Sequence, residues 1–353
     1  MPRAPATPSN PAIASAKTVG LEYVSDDQPG LRRRKSGQAF RYLDATGRAV
    51  TDAATLQRVR ALAIPPAYID VWICPRENGH LQATVRDARG RKQYRYHARW
   101  SEARGTEKFS RVVAFGAALP KLRRRLRRDL GLPGFPQAKV AAIVVAVMAD
   151  TLVRIGNAGY AKENRSYGLT TLRNRHVAFL RGGRARFRFR GKSGIEHDVV
   201  LDDARLTKLL RHCQQLPGQH LFQYQDDAGR VQPVDSGLIN DYLRDAMGGE
   251  FTAKDFRTWG GTLAAMRLLA EMPWDEGGAS QRAMASMRKS VEVEVARQLG
   301  NTPAVVRKSY IDPRVYAAWE QGWLARASIG VRGPRQWEAL ALRLLRRRAS
   351  PAG

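Results

Sequence analysis

The run Arg184-Ala-Arg-Phe-Arg-Phe-Arg190 allows one kind of backbone. Its period of two suits a strand and no helix: Ala185, Phe187 and Phe189 fall on one face and four arginines on the other. A strand with one apolar face needs neighbours in a sheet, so this run predicts the middle of a three-stranded meander. Gly191-Lys192-Ser193-Gly194 then forms the tip of its second hairpin. Around this island the chain reads as helical from about 105, with helices expected at 121–129, 139–154, 202–215, 236–247, 256–272 and 280–299. An amphipathic basic helix is expected at 337–348. The earlier part reads differently. Phe40 and Tyr42 open a strand, and a helix at 51–63 is stopped by Pro65-Pro66. Strands follow at 71–75, 81–86 and 91–97, joined by the turns 77–80 and 87–90. The expectation is an α+β chain of 353 residues: a disordered tail at 1–19, a β-rich domain at 20–100, a larger, mainly helical domain at 105–335 and a basic tail at 336–353.

The charge restricts the partner. Sixty Lys and Arg against 32 Asp and Glu leave a net +28, far more than a solvated face requires. Nucleic acid is the expected partner, since neutralising phosphates releases counterions; an anionic membrane is the weaker alternative. The longest apolar run, 140–149, is too short to span a bilayer and reads as a buried helix. The first 19 residues lack the apolar segment of a signal peptide. Two distant cysteines, Cys74 and Cys213, suit a reducing compartment and make a structural zinc improbable. The expected location is therefore cytoplasmic, in association with the nucleoid. Gly191-Lys192-Ser193 resembles the end of a phosphate-binding loop, but position 186, where that motif needs glycine, is Arg. With no GxGxxG and no acidic cluster, neither a nucleotide cofactor nor a catalytic metal is expected.

The stretch Leu299-Gly-Asn-Thr-Pro-Ala-Val-Val-Arg-Lys-Ser-Tyr310-Ile-Asp-Pro313 reads as a helix end, a turn and a second short helix. Gly300 suits a left-handed helix terminus, Thr302 a cap and Pro303 a first turn, while Pro313 is expected to stop the helix. Tyr310 lies near that end. Taken alone it reads as a core tyrosine. If it attacks a phosphodiester, its phenol needs a cationic setting, since its ordinary pKa is near 10. The non-bridging oxygens need fixed donors, and the departing 5′-oxygen needs an acid. The demand is two arginines, one further donor, one acid and one tyrosine.

Four segments supply that set in order. Asp150-Thr-Leu-Val-Arg154 through Leu172 resembles the first signature of type IB DNA topoisomerases, in the compact poxvirus-like and bacterial branch. Phe189-Arg-Gly-Lys192 through His197 resembles its hairpin segment, Lys254-Asp-Phe-Arg257 through Thr262 its second arginine segment, and Leu299-Gly-Asn301 through Tyr310 its nucleophile segment. The resemblance spans most of residues 20–330. It implies that Arg154 and Arg257 clamp the scissile phosphate, that Asn301 donates to a non-bridging oxygen where the poxvirus branch has His, and that Lys192 is the general acid, acting with Arg154. Tyr310 would form a 3′-phosphotyrosyl link, and rotation about the intact strand would relax supercoils without ATP or metal. The resemblance further implies a monomer that closes around duplex DNA as a C-shaped clamp. Tyr94 and Tyr96 would lie in the major groove, and Arg188 and Arg190 of the outward arginine face are expected DNA contacts.

Two competing readings remain at this stage. A tyrosine recombinase shares the catalytic residues, but usually carries His where this chain has Lys254 and Thr258. A non-catalytic DNA-organising protein explains the charge, but not the spacing of Arg154, Lys192, Arg257, Asn301 and Tyr310.

Overall fold

The computed structural model describes residues 11–88, 90–226, 228–273 and 280–347. It divides into two compact units, Met1–Phe109 and Ser110–Gly353. The first is built on a five-stranded antiparallel sheet ordered β2-β1-β3-β4-β5. A short helix, α1 (Pro11–Thr18), precedes it. The strands and their helix follow as β1 (Leu31–Ser36), β2 (Ala39–Leu43), α2 (Ala53–Ala61), β3 (Ile69–Ile73), β4 (Leu81–Arg86) and β5 (Lys92–Tyr96). Alternation along β3 sets the layers. Val71 and Ile73 join Leu31, Val59 of α2, Ala83 and Val85 in one buried cluster. Trp72 points the other way, with Cys74, Leu81 and Val24. The Asp52 carboxylate caps α2 by accepting from the Thr55 amide at 2.8 Å.

Two expectations for this region change. Residues 11–18 are helical rather than disordered, because Ala16 is buried beside Leu21 and Trp100; residues 1–10 lie outside the described residues. The sheet also begins earlier than Phe40. The β1 sequence Leu-Arg-Arg-Arg-Lys-Ser carries too much charge to read as a strand. Arg33 escapes that conflict by stacking on Phe40, 4.2 Å from the ring centre. Its guanidinium donates to the carbonyls of Ile64 and Pro65, each at 3.0 Å.

The boundary between units falls inside a long helix, α3 (Ala98–Asp129). The second unit continues with α4 (Gln137–Thr151), α5 (Ala158–Asn164), the meander β6 (Val177–Leu180), β7 (Arg184–Arg190) and β8 (Glu196–Leu201), and α6 (Ala204–Gln215). A small hairpin, β9 (Gln223–Gln225) and β10 (Val231–Pro233), leads to α7 (Ser236–Met247) and α8 (Ala253–Ala270). The chain then forms α9 (Gln281–Leu299), α10 (Pro303–Ser309), α11 (Pro313–Glu320), α12 (Trp323–Ala327) and α13 (Pro334–Arg346). The core helix is α4, whose Val140–Val145 segment is almost wholly inaccessible. It packs against α6, α7, α8 and β8, which is why it tolerates apolar residues all round. In β7, Ala185, Phe187 and Phe189 are buried as the alternation requires. Among the described residues, no helix is long and apolar enough to cross a membrane.

Three further expectations shift. Helix α4 stops at Thr151, where Leu152 turns left-handed (φ 53°), so Arg154 lies in the extended chain beyond the helix. Pro313 starts α11 instead of stopping α10, since Asp312 caps it by accepting from the Arg314 amide at 3.0 Å. The terminal helix is no separate tail. Trp337, Leu340, Ala341, Leu344 and Leu345 of α13 are buried, and the helix packs on α8 and α11.

Candidate active site

Tyr310 is placed by two successive helix termini. Gly300 ends α9 with φ 57°, and the Asn301 amide donates back to the Ala296 carbonyl at 2.9 Å. Thr302 then caps α10, with Pro303 in its first turn. Tyr310 follows the last residue of α10 and donates its amide to the Val306 carbonyl at 2.8 Å. Its own carbonyl accepts from the Thr262 hydroxyl at 3.2 Å, and the same hydroxyl accepts from the Asp312 amide at 3.2 Å. Thr262 is wholly buried in α8 and so holds the backbone on both sides of Ile311.

Arg257 lies near the start of α8, after a capping pair formed by Thr252 and Asp255. It is 4% exposed, which sets it apart from an ordinary surface cation. One guanidinium nitrogen donates to the Leu299 carbonyl at 2.7 Å and another to the Leu152 carbonyl. These are carbonyls at the C-terminal ends of α9 and α4, where unpaired acceptors and the negative end of the helix dipole favour a cation. The guanidinium carbon lies 5.1 Å from the centre of the Tyr310 ring.

Arg154 reaches the same place from the extended chain after α4. Its backbone is fixed there, since the Leu169 amide donates to the Arg154 carbonyl at 2.9 Å and the Thr170 amide to that of Ile155 at 2.7 Å. Its side chain donates to the Gly300 carbonyl at 3.1 Å and to Oδ1 of Asn301. That contact fixes the Asn301 amide. Its Nδ2 is buried and has no hydrogen-bond partner among the described residues. Burial, and then the charge of Arg257, bring the Arg154 pKa down to about 10, so it stays charged at neutral pH. Burial alone would raise the Tyr310 pKa. Arg257, Arg154 and Lys254 outweigh it and hold the phenol below its ordinary value.

Arg154, Arg257, Asn301 and Tyr310 therefore converge. Lys192 is exposed in a tight turn closed by a 2.7 Å bond from the Gly191 amide to the Ile195 carbonyl, with Ser193 at φ 64°. Arg188 and Arg190 are exposed on β7, and Arg188 shares Asp198 with Arg186. Their charges, led by the Arg186 hydrogen bond, hold the Asp198 carboxyl at about 2. Tyr94 and Tyr96 lie in the first unit on one face of β5, half-exposed, with parallel rings 6.1 Å apart. Sequence reasoning gave no role to Thr262, Lys254 or His197. Lys254 precedes Arg257 by three residues on a helix, a spacing that puts both on one side and could have marked it. No group of metal-ligating side chains occurs among the described residues.

Comparison with known proteins gives the frame for this geometry. Residues 97–319 match the family model described as the catalytic core of eukaryotic DNA topoisomerase I. Residues 39–87 match the N-terminal domain of bacterial DNA topoisomerase IB. The DNA topoisomerase 1B of Acanthamoeba polyphaga mimivirus is 32% identical over 286 residues, covering 80% of this chain and 85% of that protein. The β-rich first unit and the mainly helical second unit match the order of those two family models, and on these grounds the chain belongs to the type IB DNA topoisomerases.

Proposed function

We propose that this topoisomerase cuts one strand of duplex DNA with Tyr310, and that Arg154, Arg257, Asn301 and Lys192 serve that step. The phenolic oxygen forms a bond to phosphorus as the bond from phosphorus to the 5′-oxygen breaks. The phenol's proton is released to solvent, and Lys192, acting with Arg154, supplies the proton that the leaving 5′-oxygen takes up. Arg154 and Arg257 bind the non-bridging oxygens as charge builds on them. One phosphodiester replaces another, so the bond energy is retained in the 3′-phosphotyrosyl link. The duplex rotates, and the 5′-hydroxyl reverses the reaction without ATP or metal.

The observation that carries this reading is the buried Asn301 amide. Its oxygen is taken by Arg154, while its Nδ2 faces no acceptor among the described residues. A buried donor left unpaired costs about 1–3 kcal/mol, and a phosphate oxygen relieves that cost. The lowered Tyr310 pKa points the same way. Lys254 and Thr258, where a recombinase usually has histidines, favour a relaxing enzyme. In this reading the protein acts as a monomer that closes around DNA as a C-shaped clamp. The stacked Tyr94 and Tyr96 enter the major groove, Arg188 and Arg190 track the backbone, and the protein resides on the nucleoid in the cytoplasm.

The test is incubation with positively and negatively supercoiled plasmid in EDTA without nucleotide. Relaxation of both is expected, and strict dependence on magnesium or ATP would overturn the reading. Tyr310→Phe should abolish the covalent adduct and leave duplex binding unchanged; an adduct trapped in that variant would show that another residue attacks.

A further inference from the structure

His197 sits among the reacting groups, yet the chemistry above gives it nothing to do. It lies on β8 opposite Phe189 of β7, and the two rings stack with centres 4.8 Å apart and planes 5° apart. The ring also meets two glycines that lie far apart from each other in the chain. A Cβ placed on Gly191 would lie 2.5 Å from Cδ2 and 2.6 Å from Nε2 of His197. A Cβ on Gly300 would lie 2.4 Å from Cε1 and 3.0 Å from Nε2. One imidazole edge thus touches both backbones at a range that no other residue type permits. Gly191 is the residue before Lys192, and Gly300 is the residue before Asn301. The Gly300 carbonyl also receives Arg154.

We infer that His197 is a positioning residue for Lys192: its ring is the spacer that sets the Lys192 turn against the Gly300–Asn301 turn. The inference rests on Lys192 being the acid. It explains why two glycines meet one ring, and why the turn bearing an exposed lysine is anchored at its base. The ring serves as a neutral spacer. Burial, then Arg154 and Arg257, lower its pKa to about 4, so it adds no third positive charge to the cluster at neutral pH. Stacking on Phe189 fixes its plane, and Phe189 is itself buried in the meander. Loss of the ring leaves the Lys192 turn free to shift, and an ångström of misplacement costs about 10²-fold in rate.

A bridging-sulfur substrate separates this role from mere packing. When the 5′-bridging oxygen is replaced by sulfur, the leaving thiolate needs no proton, so a defect in acid delivery disappears while a defect in phosphate or tyrosine geometry persists. Single-turnover cleavage of the two substrates is compared in wild type, Lys192→Ala, His197→Ala and His197→Phe. His197→Ala should cleave ordinary DNA roughly 10- to 100-fold more slowly. It should cleave the sulfur substrate at close to the wild-type rate, with duplex affinity unchanged. His197→Phe, which keeps a flat ring for Phe189, should recover most of the loss. If Lys192→Ala is rescued by sulfur but His197→Ala is slow on both substrates, the positioning role is wrong and the acid reading stands. If His197→Ala is as fast as wild type on ordinary DNA, the inference is overturned. If sulfur fails to rescue Lys192→Ala, the acid reading itself falls, and this inference with it. Should His197→Ala prove too unstable to purify, His197→Gln, which fills part of the space without a ring, is read by the same comparison.

Discussion

Thr262 shows how much one hydroxyl can decide. It donates to the Tyr310 carbonyl and accepts from the Asp312 amide, so it fixes the backbone from which the phenol projects. Thr262→Val keeps the shape and removes both bonds. Two buried backbone groups then lose a partner, at about 1–3 kcal/mol each. Adduct formation in single turnover should slow by roughly tenfold or more, with a lower thermal midpoint and unchanged duplex affinity. Equal cleavage rates for Thr262→Val and wild type would show that the α10 end holds itself. Two histidines give a second residue-scale prediction. Burial, followed by nearby arginines, lowers His176 and His197 to about 4 in the folded chain. Unfolded, each returns to about 6.5. The unfolded chain therefore binds more protons between these values. The stabilising contribution is complete above pH 6.5 and is lost as pH falls toward 4. Thermal midpoints measured across that window should fall with pH, and His197→Gln should flatten part of the fall. A midpoint that is flat in wild type from pH 6.5 to 4 would contradict these shifts.

Among the elements, α13 separates what the chain reveals from what it hides. Its basic residues suggest an appended tail, but its Trp337, Leu340, Ala341, Leu344 and Leu345 are buried against α8 and α11. Arg314 of α11 also donates to the Leu345 carbonyl at 2.5 Å. Burying a large apolar side chain is worth about 1.5–3 kcal/mol. Ending the chain at position 333 should therefore lower the melting temperature by roughly 10 °C or more. A truncated protein that melts normally and merely binds DNA more weakly would restore the tail reading. The elements that could be read in advance have strong local signals, such as the alternation of β7, the apolar α4 and the Gly300-Thr302-Pro303 junction. The convergence of Arg154, Arg257, Asn301 and Tyr310 could be anticipated because their spacing resembles a family. What stayed hidden depends on tertiary partners. The charged β1 becomes a strand because Arg33 finds Phe40 and two carbonyls, and the short polar strands β9 and β10 carry no period. Pro313 can end one helix or begin another, and Asp312 decides. The burial of Arg257 was invisible because its carbonyl partners belong to other helices.

For the whole molecule, the excess of +28 sets how binding responds to salt. Each phosphate neutralised contributes a slope of about −0.9 to log affinity against log salt, so several contacts give roughly −5 or steeper. Duplex titrations from low to physiological salt should show this, with plasmid relaxation turning from processive to distributive. A nearly flat response would mean that the excess charge faces away from DNA. Arg154, Arg257, Asn301 and Tyr310 all belong to the second unit. Within that unit, Arg257 ties together the ends of α4 and α9 through the carbonyls of Leu152 and Leu299. Cutting machinery is dangerous to a genome when half-assembled, because a strand opened without the means to close it is damage. Here the guanidinium proposed to steady the phosphate during the cut also holds two helix ends in place. A chain in which α4 and α9 have not come together with α8 lacks this arrangement of Arg257. On that proposal, cleavage competence is confined to the state in which α4, α8 and α9 are assembled, a safeguard that needs no regulator.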